Sequence, residues 1–246
     1  SDLILPKKYW IDAIENMLRI NKSLNFIIIT DDVKYAQALL PQLLNHTSES
    51  PSRVINIGSI DGLTVPTFGN YSYSASKAGS DLLVRAYNRT HKLDTVITRC
   101  SNNYGQYQFP EKVMPLFITN IIEGKKVPLY GNGLNVRDWL HVTDHCEGIY
   151  LAMIKGKPGS VYNFGANAEK TNLEISDLIL NHMGFDQSSM EFVGDRLGHD
   201  LRYAVSFDKA RYELDFEPRI PFEVGIKETI EWYVNNEAWW KDLVSL

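Results

Sequence analysis

Apolar positions recur at helical and strand periods in turn along the first hundred residues. From Lys8 to Ile20, Trp10, Ile14, Met17 and Leu18 form one apolar stripe at helical spacing. Phe26-Ile27-Ile28-Ile29-Thr30 is a short, continuous, β-branched run between polar residues, the pattern of a strand buried on both faces. A helix is expected from about Val33 to Leu44, a strand over Val54–Ser59, a helix over Ser74–His91 and a strand over Thr95–Arg99. Strand and helix alternating at these intervals predict a parallel sheet with crossover helices, so the fold class is α/β. The second half changes character. Turn-rich pieces (Tyr104-Gly105, Tyr130-Gly131-Asn132-Gly133, Lys157-Pro158-Gly159) separate short strands and helices there. That suits a smaller lobe whose surface loops are open to ligands.

Bulk properties narrow the class. The chain has 246 residues, 44% hydrophobic and 22% charged, which is ordinary for a globular protein with a sizeable core. A net charge of −5 argues against a general nucleic-acid binder, which needs a basic face for phosphates. It leaves room for one local basic pocket. The two cysteines, Cys100 and Cys146, have no metal-ligand spacing, so no metal is expected and a reduced, cytoplasmic setting is. No apolar run approaches the roughly 20 residues of a membrane helix. The opening Ser1-Asp2-Leu3-Ile4-Leu5-Pro6 lacks the regions of a signal peptide.

Candidate chemistry begins with Tyr73 and Lys77. Four residues apart at the start of a helix, they share one face. A nearby ammonium favours the phenolate, lowering a tyrosine pKa from about 10 and making the group a usable acid/base for a hydroxyl. Ser59, at the end of the preceding strand, is placed to hydrogen-bond the same reacting oxygen. A Tyr and a Lys at this spacing also occur by chance on solvated helices. Here Ser59, the small residues Ser74, Ala75 and Ser76, and the amphipathic helix accompany them.

Together these residues resemble the active site of the short-chain dehydrogenases/reductases. The resemblance implies a Rossmann-like sheet and NAD(H) or NADP(H), with Tyr73 and Lys77 bordering the nicotinamide ribose. Five further segments occur in order: Cys100-Ser101-Asn102-Asn103-Tyr104-Gly105, Phe109-Pro110-Glu111-Lys112, Pro128-Leu129-Tyr130-Gly131, Val136-Arg137-Asp138-Trp139-Leu140-His141-Val142 and Asp195-Arg196-Leu197-Gly198-His199-Asp200. From about Tyr71 to Asn236 the chain resembles the dTDP-glucose 4,6-dehydratases, extended members of that superfamily. The resemblance assigns Asn102 to the substrate diphosphate region and Asn103 to the nicotinamide side. It puts Lys112 and Val113 near the substrate and Pro128, Leu129 and Tyr130 against the nucleotide base, where an aromatic face can stack. Arg137 becomes the pyrophosphate clamp, a role its planar fork suits. Asn172 is a further substrate contact, and Arg196 and His199 complete the anion site. Outside such motifs, Arg137 would read as an ion pair with Asp138 and His199 as a capping or core histidine. Trp232, Tyr233, Trp239 and Trp240 read as core or terminal packing.

The implied reaction converts dTDP-glucose, through transient oxidation by bound NAD, to a 4-keto-6-deoxy sugar nucleotide, with homodimerisation as the family habit. The chain departs from the pattern at defined places. The dehydratases carry an elimination pair as Thr-Asp-Glu, where this chain reads Ser59-Ile60-Asp61. Ser59 can replace the threonine hydroxyl, and Asp61 stands for the glutamate base one methylene shorter. Ile60 has no proton to give. No Gly-rich turn for a pyrophosphate stands before residue 54. Residues 36–70 resemble instead the compact short-chain reductases, and residues 1–35 a fucosyltransferase-like segment, so the chain reads as composite. The expected division is an incomplete Rossmann-like cofactor domain over 1–104 and a nucleotide-sugar-binding lobe over 105–246, with about 136–156 returning to the first. Two alternatives stand beside the dehydratase. A sugar-nucleotide epimerase or ketoreductase would need only Ser59, Tyr73 and Lys77, and a catalytically impaired protein would only bind the nucleotide sugar.

Overall fold

Asp94–Cys100 (β3) shows why the first unit forms. Thr95, Val96, Ile97 and Thr98 are all buried, so both faces of the strand are covered and its β-branched side chains fill the space between sheet and helix. The computed structural model describes residues 26–30, 53–58, 71–195 and 200–244. The helices expected at 8–20 and 33–44 lie outside the described residues. Contacts divide the chain into two units. One comprises residues 1–65, 70–99 and 152–162; the other comprises 66–69, 100–151 and 163–246.

In the first unit the strand order is β1 (Phe26–Thr30), β2 (Arg53–Gly58), β3 and β7 (Val161–Phe164, which runs on into the second unit). β1 and β2 pair in parallel with Ile28 opposite Ile55, and β2 and β3 pair in parallel with Ile55 opposite Val96. The expected α/β class with a parallel sheet is therefore present. Helix α1 (Tyr71–His91) lays Lys77, Ser80, Asp81 and Val84 along its buried side, a spacing of three to four residues. Val84 and Ile97 anchor a small core with Leu83, Tyr87, Leu93 and Val161. Beside them Arg99 and Asp81 form a buried ion pair, Nε donating to Oδ2 at 3.2 Å. Arg89 and His91 sit in the last turn of α1, where cations complement the helix dipole.

The second unit is also α/β. β4 (Asn102–Tyr104) and β10 (Arg202–Tyr203) each pair in parallel with β6 (Val136–His141), and β8 (Glu169–Thr171) pairs antiparallel with it. A separate parallel pair joins β5 (Val127–Tyr130) to β9 (Met190–Val193). Around them pack α2 (Val113–Ile122), α3 (Val142–Lys155), α4 (Asn172–Met183), α5 (Asp208–Leu214), α6 (Phe222–Asn235) and α7 (Glu237–Val244). One apolar core joins Met114, Phe117 and Ile118 of α2, Ile175 and Ile179 of α4, and Ile226 and Ile230 of α6 with Tyr104 and Trp139. Tyr233 and Trp240 are fully buried in it, and the Trp240 indole N–H donates to the Tyr233 carbonyl at 2.8 Å. Trp232 and Trp239 pack at its edge, where their rings lie 4.6 and 5.4 Å from that of exposed Tyr107. The reading of these C-terminal aromatics as packing is what the fold displays.

Candidate functional site

In the first unit the candidate groups belong to one helix. Tyr73 and Lys77 occupy positions four apart on α1, so helix geometry gives them one face. The side chain of Tyr73 lies outside the described ones. Lys77 is 6% exposed, and burial draws its ammonium below the usual lysine value. Such a group is held in place and sheds its proton more readily than a surface lysine. Ser59 and Asp61 lie outside the described residues, as do Arg196 and His199.

In the second unit β4 and β6 carry the next group. Asn102 stands opposite Trp139, Asn103 opposite Leu140 and Tyr104 opposite His141. Asn103 is tied on three sides. Its Nδ2 donates to Cys100 Sγ at 3.3 Å and lies 3.0 Å from His145 Nδ1, and its carbonyl accepts from Gln108 Nε2 at 2.8 Å. Its Oδ1 is buried without a hydrogen-bond partner among the described residues. Burial pushes the Cys100 thiol up to about 11 and His145 down to about 4, so both stay neutral.

Arg137 faces Lys170 across the antiparallel β6–β8 pair and Tyr203 across β6–β10. Two cations opposite one another repel, an arrangement that an anion relieves. Lys170 is partly compensated by Glu223 at 3.7 Å. The neighbouring Asp138 points elsewhere: it is 1% exposed and accepts the backbone N–H groups of Ala166 at 3.1 Å and Ala168 at 2.8 Å. Its carboxylate fastens the turn after β7 and leaves Arg137 on the other face of the strand.

The base-side candidates alternate, as strand residues must. Pro128 and Tyr130 are half-buried, whereas Val127 and Leu129 enter the core. Leu129 is 1% exposed, so only its backbone remains for any contact outside the core. A Cβ at Gly133 (φ +72°) would come within 2.6 Å of Leu129 Cδ2, so the tight Tyr130–Gly133 turn requires glycine twice over, for its backbone and for its lack of a side chain. Asn172 opens α4 and is 7% exposed. Its N–H donates to Asn135 O at 3.1 Å, and a capping box between Thr171 and Glu174 starts the helix beside it. Lys112 caps α2, exposed and paired with Glu111 at 2.9 Å, and Val113 packs against the core.

His145, Asp138 and Lys170 were not apparent as site residues from sequence. His145 had one available signal, its place on the buried stripe of α3 with Gly148 and Ala152. Among the described residues no group of three or more His, Cys, Asp or Glu could hold a metal ion, and no helix is long and apolar enough to cross a membrane.

Comparison with known proteins matches residues 63–229 to the GDP-mannose 4,6 dehydratase family model. A dTDP-glucose 4,6-dehydratase of Streptomyces antibioticus is 53% identical over 178 residues, covering 72% of this chain and 53% of its own length. The chain thus spans about half the length of that relative. One from Escherichia coli is 39% identical over 257 residues, covering 96% of this chain and 65% of its own, so the likeness reaches upstream of Tyr71. Among solved structures, the dTDP-glucose 4,6-dehydratase of Streptomyces venezuelae, with NAD bound, superposes with a TM-score of 0.80 at 42% identity, covering 86% of this chain and 68% of that one. That of Bacillus anthracis, in complex with NAD, gives 0.79 at 39%, covering 94% and 79%. The chain belongs to the extended short-chain dehydrogenases/reductases, in the family described by the GDP-mannose 4,6 dehydratase model, and within it is similar to dTDP-glucose 4,6-dehydratases.

Proposed function

We propose that this protein acts on dTDP-glucose as a 4,6-dehydratase with NAD, on the evidence of its 42% identity and TM-score of 0.80 to a dTDP-glucose 4,6-dehydratase solved with NAD. At the nicotinamide end, the residues present suit the cofactor. Lys77 supplies a buried ammonium on the face of α1 that carries Tyr73, and Asn103 supplies a buried acceptor without a partner among the described residues. Tyr73, Lys77 and Asn103 would hold the nicotinamide end. When bound, NAD would supply the hydride acceptor for sugar C4 and the hydride donor for C6. Tyr73 takes the proton of the 4-hydroxyl as the C4–H bond breaks, with Ser59 hydrogen-bonded to the same oxygen. The resulting ketone acidifies C5–H. Asp61 takes that proton, and the electron pair left at C5 expels the C6 hydroxyl. The departing hydroxide needs a proton that Ile60 cannot give, so solvent supplies it, and Asp61 gives its proton back to C5 as hydride reaches C6. Arg137, with Asn102, Lys112, Asn172, Arg196 and His199, holds the diphosphate and sugar, and Pro128 and Tyr130 flank the base.

Titration with NAD⁺ and with dTDP separately, followed by incubation with dTDP-glucose and assay for the 4-keto-6-deoxy product, tests this reading. Binding of dTDP without NAD⁺ at millimolar concentration would sink it in favour of a nucleotide-sugar-binding protein. Binding of both without the dehydrated product favours the ketoreductase or epimerase reading, which Ile60 supports. Tyr73→Phe is expected to lower turnover about a thousandfold with dTDP affinity unchanged; an unaltered rate removes Tyr73 from the reaction. We infer also that two copies associate through α1 and α3, on which Leu82 is 67% and Ile154 46% exposed. A cytoplasmic setting accords with the two free cysteines.

A further inference from the structure

Asn103 has two amide hydrogens and both are directed inward, one at the Cys100 sulfur and one at the imidazole of His145. A primary amide so arranged has only its oxygen left. That oxygen is buried and lacks a partner among the described residues, a state that costs free energy until a donor arrives. The arrangement holds only while His145 keeps Nδ1 bare. A proton there would face the amide hydrogens and turn the side chain round, with its oxygen inward and its nitrogen out. Two observations bear on this: burial leaves the neutral ring a single proton, and a donor faces Nδ1. His145 is 7% exposed and stacks near Phe164, with ring centroids 6.1 Å apart, which disfavours the imidazolium. The Asn103 amide nitrogen, 3.0 Å from Nδ1, is a donor.

We propose that His145 is a positioning residue: its Nδ1 orients the Asn103 amide so that Oδ1 accepts a hydrogen bond from the carboxamide N–H of the nicotinamide ring. This rests on the dehydratase reading above, which places Asn103 on the cofactor side. The proton of His145 belongs on Nε2, itself buried and without a partner among the described residues. Asn103 is then the contact, and His145, reached through it, sets which end of the amide the cofactor meets.

The test combines spectroscopy and binding on the intact chain. Long-range proton–nitrogen correlation spectra of ¹⁵N-histidine-labelled protein are expected to report the Nε2–H tautomer for His145. His145→Leu, which removes the acceptor, should weaken NAD⁺ binding about tenfold while leaving dTDP affinity unchanged. His145→Asn, whose Oδ1 can stand at the Nδ1 position, should restore most of the loss. Asn103→Ala should weaken NAD⁺ to a similar degree, and the His145→Leu/Asn103→Ala double variant no further. An Nδ1–H tautomer, or unchanged NAD⁺ affinity in His145→Leu, overturns the positioning role. If His145→Leu does not fold, the tautomer and the Asn variant decide alone. Failure of the unmodified protein to bind NAD⁺ overturns the dehydratase reading and with it the ligand named here, while the tautomer still judges the amide's orientation.

Discussion

A buried imidazole reports on proton uptake as the chain unfolds. His145 titrates near 4 in the folded protein, against about 6.5 when exposed. The groups facing it, the Asn103 amide from β4 and the Phe164 ring from β7, carry no charge; Asp144 adjoins it on its own helix. Because its folded value is depressed, the unfolded chain takes up this proton first as pH falls. Its stabilising contribution is complete above about pH 6.5 and is lost progressively towards about pH 4, roughly 3 kcal/mol over the window. Denaturant titrations across that range should give a shallower decline for His145→Asn, and parallel curves would show that His145 is charged when folded. A second residue-scale prediction concerns Ile60. If the elimination lacks only its acid, Ile60→Asp should raise the dehydration rate about a hundredfold, measured as 4-keto product, with dTDP affinity unchanged. Residues at this scale were unequally legible. Tyr73 and Lys77 declare themselves because four positions on a helix are always neighbours. Asn103 and His145 are 42 positions apart, and only the packing of α3 against β4 joins them.

Elements were read more readily than their contacts. The run Thr95–Arg99 announces a strand, and β3 spans Asp94–Cys100, buried from Thr95 to Arg99. The expected helix from Ser74 starts three residues earlier, at Tyr71, so its first turn takes in the tyrosine motif. The Thr171–Glu174 capping box is likewise written in the sequence. Asp138 was not read as an anchor, because its partners, Ala166 and Ala168, follow a different strand, 28 and 30 residues on. Asp138→Asn keeps the shape but turns one acceptor oxygen into a donor facing a backbone N–H. It should cost about 2 kcal/mol in denaturant unfolding, and raise the Kd for dTDP if the turn steadies β6 under Arg137. An unchanged midpoint would show that water can replace the carboxylate.

At the scale of the whole molecule, charge and composition excluded broad classes, and the motif order after Thr98 carried the family. The pairing of copies belongs here as well. Leu82 is exposed on α1 with Ala86 one turn on, an apolar stripe that a second copy could cover. Leu82→Glu should convert a dimer to monomers in sedimentation or light scattering without lowering the unfolding midpoint of the monomer; a wild-type monomer would dispose of the interface. Tyr107, Trp232 and Trp239 have a further consequence. The loop bearing Tyr107 also leads to Lys112, and the Tyr233 hydroxyl fastens it by donating to Gln108 O. Indole emission is sensitive to a ring's surroundings, so these two tryptophans form a built-in optical gauge of that loop. A sugar nucleotide that reorders Lys112 would then announce itself in the protein's own fluorescence, with no label attached.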